Sequence, residues 1–72
     1  MAAELVIYTH PDCEYSNALK LEMQELGVEF EEIDLAVRPD EWARVEELTE
    51  GRRVTPVSVE GELVTVGFHG VG

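Results

Sequence analysis

The stretch Leu5-Val6-Ile7-Tyr8-Thr9-His10-Pro11-Asp12-Cys13-Glu14-Tyr15-Ser16 constrains this chain more than any other. Its apolar and aromatic start is rich in β-branched types and has no helical period, which reads as a strand. Pro11 ends the strand, because proline offers no ladder N–H and biases His10 toward extended geometry. Asp12 or Cys13 then opens a helix. A thiol at a helix entrance meets unpaired backbone N–H groups and the positive end of the helix dipole. Both favour thiolate over thiol.

The rest of the chain follows in order. The first strand covers residues 4 to 9. A helix runs from about Glu14 to Leu26, with Tyr15, Leu19, Met23 and Leu26 at helical spacing and Ala18 beside them. Gly27 stops it. Val28 to Leu35 reads as a second strand, with Val28 and Phe30 on one face. The pattern slips by one at Ile33 and Leu35, which marks a bulge or the strand end. Arg38-Pro39-Asp40 starts a second helix, whose buried stripe is Trp42, Val45, Leu48 and Thr49 and which Gly51 closes. Arg52-Arg53-Val54-Thr55-Pro56 is a basic loop. Val57-Ser58-Val59 and Leu63-Val64-Thr65-Val66 form a hairpin around Glu60-Gly61-Glu62, before a glycine-rich tail from Gly67. The order β-α-β-α-β-β predicts an α/β fold with a mixed four-stranded sheet. A right-handed crossover makes the first two strands parallel. Cys13 then lies at the C-terminal edge of a strand, where open α/β sheets bind ligands.

Length and charge narrow the partners. The 72 residues make one domain over 1–72, near the lower limit for a core without disulfides or metal. One cysteine makes no internal disulfide. A net charge of −11 argues against nucleic acid and anionic membrane, which need Lys and Arg. Most of the carboxylates read as a solvated surface. No apolar run spans a membrane and Met1-Ala2-Ala3-Glu4 is no signal-peptide pattern, so the cytoplasm is the expected compartment. His10, Cys13 and His69 fall short of the four ligands of a structural zinc site, so no metal site is expected.

Several marks occur together: Tyr8-Thr9-x-Pro11-x-Cys13-x-Tyr15-Ser16, Gly27-Val28-x-Phe30, Ile33-Asp34, Arg53-Val54-Thr55-Pro56-Val57, and Gly61-Glu62-Leu63-Val64 followed by Gly67-Phe68. Through them nearly the whole chain resembles a glutaredoxin of the thioredoxin fold. The resemblance implies a thioredoxin-like, minimal glutaredoxin fold with the last family helix missing. It implies thiol–disulfide exchange, with Cys13 as nucleophile. Ser16 falls where dithiol members carry a resolving cysteine, so the chain resembles a monothiol variant that reduces protein–glutathione mixed disulfides. Thr55-Pro56 falls on the family's cis-proline corner, whose preceding backbone pairs with glutathione or substrate. Arg52 or Arg53 is then the ligand of a glutathione carboxylate. The implied co-substrate is glutathione, with no tightly bound cofactor, and the implied partners are oxidised protein thiols. A monomer or weak homodimer is expected.

Some residues depart from the family. His10 stands where common members have lysine, and Phe68 follows Gly67 where they have a second glycine. The Gly-Phe pair resembles the redoxins that feed ribonucleotide reductase, and the short end resembles the UXX-star-type subgroup. Asp12 and Glu14 oppose the thiolate and repel anionic glutathione, so the helix terminus and Arg52/Arg53 must outweigh them. Tyr15 is a groove wall for substrate or the first core residue of its helix. Trp42 reads as core. Phe68 caps the core or pairs subunits. Two other functions stay open. One is a glutathione-dependent iron–sulfur carrier, though those relatives have Gly-Phe where Glu14-Tyr15 stands here. The other is a redox-inactive adaptor.

Overall fold

The structure is a computed structural model and describes residues 4–67. Strand β1 (Leu5–Thr9) leads into helix α1 (Glu14–Glu25), then strand β2 (Glu31–Asp34). A 3₁₀ turn (Pro39–Glu41) opens helix α2 (Trp42–Leu48), and strands β3 (Val57–Glu60) and β4 (Leu63–Val66) follow. The sheet has four strands in the order β2-β1-β3-β4. β1 is parallel to β2 and antiparallel to β3, which forms a hairpin with β4. This is the thioredoxin-like glutaredoxin fold expected from the sequence. Among the described residues no helix is long and apolar enough to cross a membrane.

Alternation along β1 divides the core. Tyr8 packs with Ile33, Leu35, Val45 and Val57, and Val6, Trp42, Leu48 and Val59 lie against them. That is the face covered by α2. Ile7 points the other way, in register with Glu32. Glu32 accepts hydrogen bonds from Lys20 of α1 at 2.8 Å and from the buried Thr9 hydroxyl at 2.7 Å, which fixes α1 on that second face.

The hairpin joins Glu60 to Leu63 through Gly61 and Glu62. Gly61 has φ +60°, as the first loop position of a type II′ turn requires.

Two expectations need correction. β2 begins at Glu31, not Val28. The Gly27 N–H bonds to the Gln24 carbonyl and the Val28 N–H to the Met23 carbonyl, with Gly27 at φ +72°. This is a Schellman stop, and it uses Val28 to close the helix. The buried stripe of α1 is also rotated. Leu19 is buried, but Tyr15 is 44% and Leu26 67% exposed, and Ser16 is fully buried instead. The sheet selects the arc through Ser16, Leu19 and Met23 over its apolar neighbour, because Ser16 has polar partners inside.

Candidate active site

Cys13 is the N-cap residue of α1, in extended conformation, and is half-buried. The preceding loop is tied by His10. Its carbonyl accepts the Cys13 N–H at 3.0 Å, its own N–H donates to Ser16 Oγ at 3.3 Å, and its Nδ1 accepts the Asp12 N–H at 3.1 Å. With Nδ1 accepting, the neutral ring carries its proton on Nε2. The backbone of His10 therefore positions both Cys13 and Ser16.

The second loop comes from the end of α2. The buried Thr49 hydroxyl lies 2.8 Å from the Val45 carbonyl and 2.6 Å from the Arg52 carbonyl, and it accepts the Arg52 N–H. This pins residues 52–56 against the helix. The Thr55-Pro56 bond is cis, and both residues are buried. The neutral Cys13 thiol donates to the Thr55 carbonyl at 3.4 Å. Gly67 closes the corner, with its N–H 2.7 Å from the Pro56 carbonyl and φ +84°.

These contacts set the state of the thiol. Burial pushes its pKa up. The Ser16 hydroxyl, the Thr55 side chain and the backbone N–H groups of Ser16 and Tyr15 push it down, and together they win. The net pKa lies below the ordinary thiol value. The Ser16 hydroxyl oxygen already accepts from His10, so its proton is free to serve the sulfur. Asp12 stands 94% exposed, where water screens its charge from the thiolate. Replacing Ser16 by alanine is expected to move the inflection of Cys13 alkylation to higher pH. The rate at neutral pH falls about fivefold, because a hydrogen bond to a charged group is lost. Iodoacetamide kinetics across pH measure both.

The structure brings Ser16 and Thr55 to the Cys13 sulfur, ties His10 to the Cys13 backbone and to Ser16, and sets Pro56 and Gly67 at the adjoining corner. Tyr15 contributes its N–H, and its ring is exposed rather than core. Arg52 and Arg53 are exposed on the loop ahead of Thr55. Arg52 Nε donates to the Thr49 carbonyl at 3.2 Å, and Arg53 Nε to Glu46 at 2.7 Å. Phe68 and His69 lie outside the described residues. Among the described residues, no group of three or more His, Cys, Asp or Glu is arranged to hold a metal ion.

Sequence reasoning placed Trp42 in the core and missed its second role. Its ring is 6.4 Å from the His10 ring and 5.4 Å from the Arg53 guanidinium carbon. It bridges the loop ahead of Cys13 and the loop ahead of Thr55. A tryptophan at helical core spacing gives no sign of this.

The glutaredoxin family model matches residues 5–64. The chain belongs to the glutaredoxin family. Solved glutaredoxins share its architecture. The grx-1 glutaredoxin of Archaeoglobus fulgidus aligns with TM-score 0.80 at 22% identity, covering 92% of this chain and 76% of that one. The glutaredoxin-like NrdH-redoxin of Escherichia coli, described as having a thioredoxin-like activity profile, aligns at 0.72 and 34% identity, covering 89% and 82%. Glutaredoxin from Brucella melitensis aligns at 0.70 and 29%, covering 92% and 71%. No curated protein matches. The chain is thus a glutaredoxin-like redox protein of the thioredoxin fold.

Proposed function

We propose that this glutaredoxin is a thiol–disulfide oxidoreductase that works through Cys13 alone and reduces protein–glutathione mixed disulfides. The observation that carries the reading is the sulfur at the α1 N-cap. It is half-buried, served by donors from Ser16, Thr55 and Tyr15, and set against the corner at Pro56.

The Cys13 thiolate attacks the glutathione sulfur of the mixed disulfide. A new S–S bond forms, the protein–glutathione bond breaks, and the protein thiolate leaves and takes a proton from water. A second glutathione thiolate attacks Cys13-bound glutathione, releasing oxidised glutathione and restoring the Cys13 thiolate. The mixed disulfide and one glutathione thiol thereby become the protein thiol and oxidised glutathione, so the disulfide bond passes from the protein to glutathione. Within these 72 residues Cys13 is the only cysteine, so an external thiol has to resolve the intermediate. Ser16 acts as a fixed donor to the sulfur in place of a second thiol. The backbone at Thr55 pairs with the peptide of the substrate, and Arg52 supplies positive charge for its carboxylate. Tyr15 walls the groove, and Gly67 closes the corner at Pro56. The oxidoreductase acts in the cytoplasm on glutathione and oxidised protein thiols, as a monomer or weak homodimer, without nucleic acid or membrane.

The test is turnover of a glutathionylated peptide with glutathione. The expected result is saturable release of free peptide, with an intermediate one glutathione heavier than the chain in the mass spectrum. Release no faster than with glutathione alone sinks the reading.

A further inference from the structure

We propose that Glu46 sets the charge preference of this site: by ion-pairing Arg53 against Trp42 it neutralises one of the two cations ahead of Thr55, so the site takes cationic disulfides faster than anionic ones. The inference rests on the thiol–disulfide reading above and refines its substrate class.

Trp42 and Glu46 are four residues apart and so share one face of α2. Arg53 meets both. Its Nε donates to Glu46 at 2.7 Å, and its guanidinium carbon stands 5.4 Å from the centre of the Trp42 ring. An exposed ion pair alone orders little. Here the indole adds a second contact from the same helix, and a guanidinium suits both partners. Arg53 is two residues ahead of Thr55, whose carbonyl touches the Cys13 sulfur. The Trp42 ring also neighbours the ring of His10, in the loop ahead of Cys13.

The local charges then do not balance. Arg52 and Arg53 are positive, while Asp12, Glu14 and Glu46 are negative. Glu50, two residues ahead of Arg52, adds to this excess, and removing Glu46 lowers it by one charge. Glutathione carries one net negative charge and approaches against this field. A disulfide flanked by Lys or Arg approaches with it. Exposed charges act over about 10 Å at 0.1 M salt. Glu46 therefore weighs more at the sulfur than acids on distant turns do, and salt weakens its effect.

The experiment uses small disulfides of known charge with the reduced chain. Cystamine carries two ammonium groups, 2-hydroxyethyl disulfide is neutral, and 3,3′-dithiodipropionate carries two carboxylates. In each case the Cys13 thiolate forms a mixed disulfide with one half and expels the other half as a thiolate. Rates are followed by mass at low (about 20 mM) and high (about 500 mM) salt. The expected order at low salt is cystamine, neutral, dicarboxylate, converging at high salt. In Glu46→Gln the cystamine-to-dicarboxylate ratio falls about threefold further than in Glu62→Gln, which removes the same charge at the hairpin turn. Equal ratios in the two variants overturn the proposal, as does a dicarboxylate rate matching cystamine in the unaltered chain. If the neutral disulfide reacts no faster than with free cysteine of equal thiolate fraction, the oxidoreductase reading fails as well.

Discussion

Replacing Cys13 by serine is expected to abolish disulfide exchange and leave the fold at least as stable. The loss exceeds about a thousandfold, because a serine hydroxyl is not ionised at neutral pH and these 72 residues hold no other thiol. Stability should move the other way. Cys13 is the N-cap of α1. The Tyr15 and Ser16 N–H groups favour its thiolate, but sulfur is too weak an acceptor to make a capping hydrogen bond of good geometry. Serine is among the best N-cap residues, and gaining such a cap contributes about 0.5–1 kcal/mol. Its hydroxyl also keeps a donor for the Thr55 carbonyl that the thiol now reaches at 3.4 Å. The position thus carries a reactive group where a stabilising one fits, a trade seen at sites kept for chemistry. Turnover of glutathionylated peptide measures the first effect and the urea midpoint the second. Retained turnover would move the nucleophile elsewhere. A fully retained biological function without turnover would favour a binding adaptor.

The placement of Cys13 was legible because its signals are local. A β-branched run, a proline and the first helical residues fall within one short stretch, and each acts through backbone geometry alone. The hairpin was legible for the same reason, since Gly61 marks its own turn. The phase of α1 was not. Tyr15, Leu19, Met23 and Leu26 form a fair apolar stripe, yet the sheet buries the adjacent arc. Ser16 pays no penalty there because the His10 N–H satisfies its oxygen. Nothing in the sequence links positions 10 and 16 beforehand. The start of β2 failed similarly. Val28 suits a strand by type, but its N–H is taken by the Met23 carbonyl at the helix stop. The pairing of Arg53 with Glu46 spans a helix end and a loop, and neither residue type predicts its partner. The resemblance named Arg52 or Arg53 as a carboxylate ligand without showing that a carboxylate of the chain already holds Arg53. Phe68 lies outside the described residues.

Ile7→Ala is expected to bring the chain close to unfolding. Ile7 is completely buried in β1, the strand that pairs with both β2 and β3. Truncating such a side chain costs about 2–5 kcal/mol, the lost transfer energy plus the cavity left behind. A single core in a chain this short supplies only about 3–5 kcal/mol. The substitution therefore removes most of the margin. Val37, 76% exposed, should tolerate alanine within about 0.5 kcal/mol. Urea titration should show a much lower midpoint for Ile7→Ala with an unchanged slope, since the same surface is exposed on unfolding. The thiol should follow. The depressed pKa of Cys13 exists only while β1 holds the His10 loop against α1. As the unfolded fraction grows, the alkylation profile should drift toward the unperturbed value of about 8.5. A variant that loses stability yet keeps the low inflection would show that the loop and helix entrance hold their geometry without the centre of the sheet.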